Sequence, residues 1–282
     1  MKIKRVGVVG CGLMGSGIAE VCARSDYEVV VSEANDELLA KGLSLINSSL
    51  AKGVERGKVT LEGKSAAISR IRGTTDIKDF SSCDLVIEAV TEDMSVKKKV
   101  FAELDKVCPK YAVLASNTSC LSIIDMAMVT SKPDKVLGLH FSNPVPIIRG
   151  LEIVKAITTS DETLNIAITF GKSLGKEIAI APDIPGFITN RLLIPYLLNA
   201  IRLVESGYAT KEDIDKQIVT SLNHPMGPIT LADLLGLDTI HFVASSMYEE
   251  LKVPELAPPP LLRRMVSARW LGRKTGKGFY EY

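Results

Sequence analysis

The chain has 282 residues, 46% of them hydrophobic and 24% charged, which is long for a single core and suits two soluble globular domains. Lys plus Arg number 34 against 33 Asp plus Glu. No net field is available to gather nucleic acid or coat an acidic membrane, so a polyanionic ligand has to be met by local basic side chains.

No apolar run approaches the ~18 residues of a membrane helix. The cysteines, Cys11, Cys22, Cys83, Cys108 and Cys120, are odd in number and show neither CxxC nor zinc-type spacing, which points to reduced thiols rather than a disulfide framework. The chain starts directly on a strand, without a charged-then-apolar leader, so a cytoplasmic protein is expected.

Val6–Val9 reads as a strand, and Gly10-Cys11-Gly12-Leu13-Met14-Gly15 leads from it into a helix over Ser16–Ala23. In that setting Gly10 permits a tight turn, Gly12 lets the backbone approach a pyrophosphate, and Gly15 lets helix and strand pack closely. About twenty residues on, the strand Glu28–Ser32 closes on Glu33, where an acidic side chain takes the ribose hydroxyls of a dinucleotide. A carboxylate there repels a 2′-phosphate, and Ser32 offers no cation, so NAD is favoured over NADP. The competing reading of Glu33 is a solvated strand-end charge.

Asn35 suits the N-cap of a helix from Asp36 to about Val54. Ser49, Lys52, Arg56 and Lys58 at its far end form either a solvated helix terminus or a grip on a phosphorylated substrate tail. Further strands read at Ile68–Arg72 and Asp84–Val90, the second nearly continuous in apolar residues as a central parallel strand should be. A turn then opens a helix over Ser95–Val107, placing Glu92 and Lys97 at the same sheet edge as the glycine loop; each alone reads as a helix-cap charge. Ala112–Ala115 runs into Ser116-Asn117-Thr118-Ser119, a helix follows over Leu121–Val129, and the strand Lys135–His140 ends on one of the three histidines.

Ligands of an open α/β sheet bind at the carboxyl edge of its strands, where this pattern puts Ser119 and His140. With Glu152 twelve residues beyond the histidine, the three could form an acid–base site. Residues 1–183 therefore read as a Rossmann-like, doubly wound α/β domain, closed by a junction over Ile178–Gly186 that carries two prolines and a glycine.

Residues 184–282 read as helix only, over Phe187–Glu205, Lys211–Leu222, Ile229–Leu251 with a break at Gly236, and Pro260–Trp270. Such an all-α domain commonly supplies a dimer surface and one wall of a substrate cleft. Asn190 falls in the first turn of its first helix, either reaching toward a ligand or bonding its own backbone. His224 and His241 read as structural.

Taken together, the segments VGVVGCGLMGSGIA, ASNTS, HFSNPVPIIRGLEIV, PGFITNRLL, HPMGPITLADLLGLD and RKTGKGFYEY resemble the L-3-hydroxyacyl-CoA dehydrogenase family, most closely its short 3-hydroxybutyryl-CoA members, nearly end to end. The resemblance implies His140 and Glu152 as a catalytic pair, with Ser119 and Asn190 around the substrate oxygen. It implies Gly10, Gly12, Leu13, Met14, Gly15, Glu33, Glu92, Lys97, Ser119, Asn143 and Lys274 as NAD contacts, and Ser49 and Arg56 as contacts of the coenzyme A portion of an acyl-CoA thioester. A homodimer through the C-terminal domain is implied as well. The family often has Phe at the position of Ser142, and Asn-Glu at Leu198-Asn199, a change expected to alter a helix facing the cleft.

The chemistry implied is NAD-dependent oxidation of a 3-hydroxyacyl thioester, with the histidine as base and the glutamate fixing its tautomer. Two rival readings are a dehydrogenase of a free hydroxy acid or sugar acid on the same fold, and an NAD-binding structural protein without catalysis.

Overall fold

The computed structural model describes residues 2–282, and the chain divides into two compact units, Met1–Ile184 and Pro185–Tyr282. The first unit holds one eight-stranded sheet made of β1 (Arg5–Val9), β2 (Glu28–Ser32), β3 (Ile71–Thr74), β4 (Leu85–Glu88), β5 (Val113–Ser116), β6 (Val136–Phe141), β7 (Gly150–Lys155) and β8 (Glu177–Pro182). Its helices are α1 (Leu13–Arg24), α2 (Asp36–Glu55), α3 (Leu61–Ser69), α4 (Met94–Val107), α5 (Ile123–Ala127) and α6 (Asp161–Ser173). The strand order is β3-β2-β1-β4-β5-β6-β7-β8.

Strands β1 to β6 run parallel in the Rossmann order, with the chain switching direction across the sheet between β1 and β4. Every residue of β4, β5 and β6 is buried, as helices on both faces require. Strand β7 then turns back antiparallel to β6, and β8 adds parallel to β7 at the edge.

Local chemistry starts the helices. The side chain of Asn35 accepts from the Leu38 amide at 2.9 Å, and Asp36 and Glu37 sit in the first turn of α2, satisfying exposed donors and complementing the helix dipole. Thr60 caps α3 through the Gly63 amide, and Ser160 caps α6 through that of Thr163.

Two sequence expectations shift. The run over Ile68–Arg72 is not one strand: Ile68 and Ser69 close α3, and the strand starts at Ile71, because a short apolar run does not by itself distinguish helix from strand. The stretch read as a junction contains β8, whose Pro182 is tolerated because this is an edge strand. Strand β7, and helix α6 that connects it to β8, lie beyond the elements read from the sequence.

The second unit contains α7 (Thr189–Glu205), α8 (Lys211–Leu222), α9 (Pro228–Leu235), α10 (Leu237–Leu251) and α11 (Pro260–Ser267). Gly236, at φ +97, separates α9 from α10. Leu198 is fully buried with Leu197 and Ile201 in the core of this unit. Two buried carboxylates pin the rest: Asp215 accepts from the amides of Ile229 and Thr230, and Asp233 from those of Phe279 and Tyr280.

Candidate active site

Strand β1 delivers the glycine loop to the carboxyl edge of the sheet. Gly10 has φ +93, and a Cβ there would lie 2.7 Å from the carbonyl oxygen of Ala89; a Cβ on Gly15 would lie 1.8 Å from that of Gly10. Both positions are thus closed to any side chain. Around the Cβ position of Gly12 there is nothing within 4 Å. The openness there has room for a pyrophosphate, beside the start of α1, whose first turn carries no acidic residue. Leu13 is 66% exposed at that same helix start.

From the end of β2, Glu33 reaches back to this loop. Its Oε1 accepts from the Cys11 amide at 2.6 Å, and its Oε2 from the Ala34 amide at 3.2 Å. The carboxylate is held at the loop margin, where a ribose hydroxyl would find it. Loop, helix start and acidic residue together fit a dinucleotide.

The ends of β4 and β5 carry a buried polar network. Glu88 is completely buried and accepts from Lys97 Nζ, Ser116 Oγ and the Val90 amide, each at 2.7 Å. Lys97 is 1% exposed, so it is no solvated helix-cap charge; its ammonium also meets Glu92 Oε2 at 3.1 Å. Glu92 Oε1 in turn accepts from the Thr118 hydroxyl, and from the Ser119 amide at 3.0 Å. Ser119 is half-buried at this turn.

One strand further, His140 and Glu152 form a cross-strand pair in the β6–β7 register. His140 Nδ1 and Glu152 Oε2 are 2.7 Å apart, and both residues are buried. Asn117 braces this end of β6: its Oδ1 accepts from the Phe141 amide at 3.0 Å, while its own amide donates to the Glu88 carbonyl at 2.8 Å. Beyond β6 lies Asn143, exposed, with a cis peptide bond to Pro144.

Ser119, His140 and Glu152 are thus gathered on adjacent strand ends of one unit. Ser49, half-buried, and Arg56, the exposed C-cap residue of α2, belong to the β1–β3 side of the sheet, apart from β5–β7. Asn190 is half-buried in the first turn of α7, and Lys274 is paired with Asp238 at 2.5 Å; both residues are in the second unit.

Residues 5–184 match the NAD-binding domain of 3-hydroxyacyl-CoA dehydrogenase, and residues 186–282 match its C-terminal domain. The chain belongs to the 3-hydroxyacyl-CoA dehydrogenase family. It is 50% identical, over 99% of each chain, to a 3-hydroxybutyryl-CoA dehydrogenase of Mycobacterium tuberculosis. Among solved structures, it superimposes on M. tuberculosis FadB2 with a TM-score of 0.99 at 50% identity, each chain fully covered. On the (S)-3-hydroxybutyryl-CoA dehydrogenase of Ralstonia eutropha the TM-score is 0.96 at 40% identity, covering 100% of this chain and 99% of the other.

As a member of the 3-hydroxyacyl-CoA dehydrogenase family the chain binds NAD through its first unit. None of its described helices is long and apolar enough to cross a membrane. Sequence reasoning missed Glu88, Thr118 and Asn117 in this dehydrogenase. A signal for the first was present, since a carboxylate inside the apolar run of β4 requires a buried cation or several donors. Asn117 carries no comparable signal, because its partner is a backbone amide on another strand.

Proposed function

We propose that this dehydrogenase interconverts (S)-3-hydroxybutyryl-CoA and acetoacetyl-CoA with NAD, using His140 as the acid–base group. The observation that carries the reading is the buried His140–Glu152 pair at the carboxyl edge of an NAD-binding sheet. Bound NAD supplies the acceptor for the hydride that leaves C3 of the substrate. As that bond breaks, the hydroxyl proton passes to Nε2 of His140, because Nδ1 is engaged by the Glu152 carboxylate, which fixes the tautomer and stabilises the imidazolium. Ser119 hydrogen-bonds the substrate oxygen as charge develops on it, and by family resemblance Asn190 serves the same oxygen.

The remaining assignments follow the same resemblance. Gly10, Gly12, Leu13, Met14, Gly15, Glu33, Asn143 and Lys274 contact the cofactor, as does Glu92 with Lys97 behind it. Ser49 and Arg56 hold the coenzyme A portion; Ser49, Lys52 and Arg56 recur at helical spacing on one face of α2, as a single grip requires. A homodimer through the second unit is supported by its exposed apolar side chains, among them Leu192 (72% exposed), Tyr208 (80%) and Leu222 (59%). Five buried cysteines suit the reducing cytoplasm.

The deciding experiment follows nicotinamide absorbance with acetoacetyl-CoA and NADH, with acetoacetate as the alternative substrate and free coenzyme A as competitor. Turnover of the thioester with competition by coenzyme A is expected. Turnover of the free acid alone would make the protein a hydroxy-acid dehydrogenase, and NADH binding without turnover of either would make it a non-catalytic binder. Thioesters of four, six and ten carbons then rank chain-length preference.

A further inference from the structure

Glu88 is buried at the end of a strand whose other residues are apolar, and its carboxylate is saturated by an ammonium, a hydroxyl and an amide. A buried ion pair seldom stabilises a fold more than apolar packing of the same volume, so stability alone does not account for this arrangement. Its reach does. Through Lys97 the charge of Glu88 is coupled to Glu92, and Glu92 holds both the hydroxyl of Thr118 and the amide of Ser119. By a second route, Ser116 Oγ donates to Glu88 and accepts from the Thr118 amide at 3.2 Å.

We propose that Glu88 is a positioning residue for the Ser116–Ser119 turn, acting through Lys97–Glu92 and through Ser116. Two carboxylates share one ammonium here. Without the charge of Glu88, Lys97 is drawn wholly to Glu92, whose carboxylate then shifts off the Thr118 hydroxyl and the Ser119 amide, and the serine leaves its place at the substrate oxygen. The inference rests on the reading of Ser119 as a substrate-facing group.

Glu88→Gln removes the charge and keeps the shape. Turnover of acetoacetyl-CoA is expected to fall on the order of 10- to 100-fold, the scale of a catalytic group misplaced by up to an ångström. The decisive readout is a cycle with Ser119→Ala. If Glu88 acts through Ser119, the double variant is no slower than the slower single one, whereas a merely structural lesion multiplies the two losses.

Amide hydrogen exchange gives a second readout that needs no turnover. The amides of Thr118 and Ser119 should exchange faster in Glu88→Gln while those of β1 are unchanged. Multiplying losses, or unchanged exchange at Thr118 and Ser119, would overturn the proposal. A wild-type protein without turnover would sink the proposed activity, and the exchange measurement would still decide the role of Glu88. Should Glu88→Gln fail to fold, Ser116→Ala carries both tests with effects of the same direction and smaller size; the absence of both there is equally fatal.

Discussion

His140 and Glu152 face each other directly across antiparallel strands, Nδ1 to Oε2 at 2.7 Å. The pair is rigid because both partners stand on a sheet rather than on loops, and the register that aligns them is enforced by the buried residues of β6 and β7 on either side. Replacing His140 by Gln should lower turnover by about two to four powers of ten, since the proposed general base is lost. Replacing Glu152 by Gln keeps a hydrogen-bond acceptor and loses the charge, and should lower turnover by roughly 10- to 100-fold, the usual scale for an orienting partner. In both variants NADH affinity, measured by fluorescence titration, should match the wild type. Full turnover in either would remove that residue from its role.

Gly12 and Gly15, three residues apart in the same loop, should behave oppositely. Gly12→Ala places a methyl group in open space, so the melting temperature should hold while the Kd for NADH rises about tenfold or more, the equivalent of ~1.4 kcal/mol. Gly15→Ala drives a methyl group to within 1.8 Å of the Gly10 carbonyl oxygen and should destabilise by about 3 kcal/mol or more through overpacking. Thermal unfolding paired with NADH titration separates the two.

Burial pushes the thiols of Cys11 and Cys83 up to about 12 and that of Cys108 to about 11 from an ordinary 9.0, and raises Cys22 as well. The folded state therefore keeps these protons where the unfolded chain loses them. This contribution to stability is complete below the unfolded pKa of 9.0 and is lost as pH rises toward the folded values of about 11 to 12. Lys132 and Lys176, lowered by burial, act in the opposite sense. Four thiols against two lysines should make the urea midpoint fall between pH 9 and 11. Ellman's reagent at pH 8 should find almost no reactive thiol in the native protein and all five after unfolding; fast native labelling would contradict this.

Asp233 is buried and receives the amides of Phe279 and Tyr280 and the hydroxyl of Tyr282. Asp233→Ala leaves those donors unsatisfied and should lower stability by about 3 kcal/mol. Chemical denaturation should show the loss. Limited proteolysis should release the C-terminal segment first.

The glycine loop, its neighbouring helix, Glu33 and the two-unit division were legible from the sequence because each depends on residues close in the chain: a strand period, a run of glycines, a cap, a change from alternating to helical pattern. Family resemblance supplied the pairing of His140 with Glu152, but not its geometry. What the tertiary structure decided is everything that depends on strand register and burial. That β7 turns back antiparallel to β6 is what sets Glu152 opposite His140, and a parallel neighbour would have set a different residue there. Lys97 reads as a helix-cap charge in sequence and is buried against Glu88 and Glu92 of the same β4–α4 stretch, while Ser116 reaches Glu88 from the neighbouring strand β5. Local chemistry writes the turns and caps into the chain, whereas the buried charge of Glu88 is tolerated because Ser116 of the neighbouring strand meets it together with Lys97, and that meeting exists only once the sheet has formed.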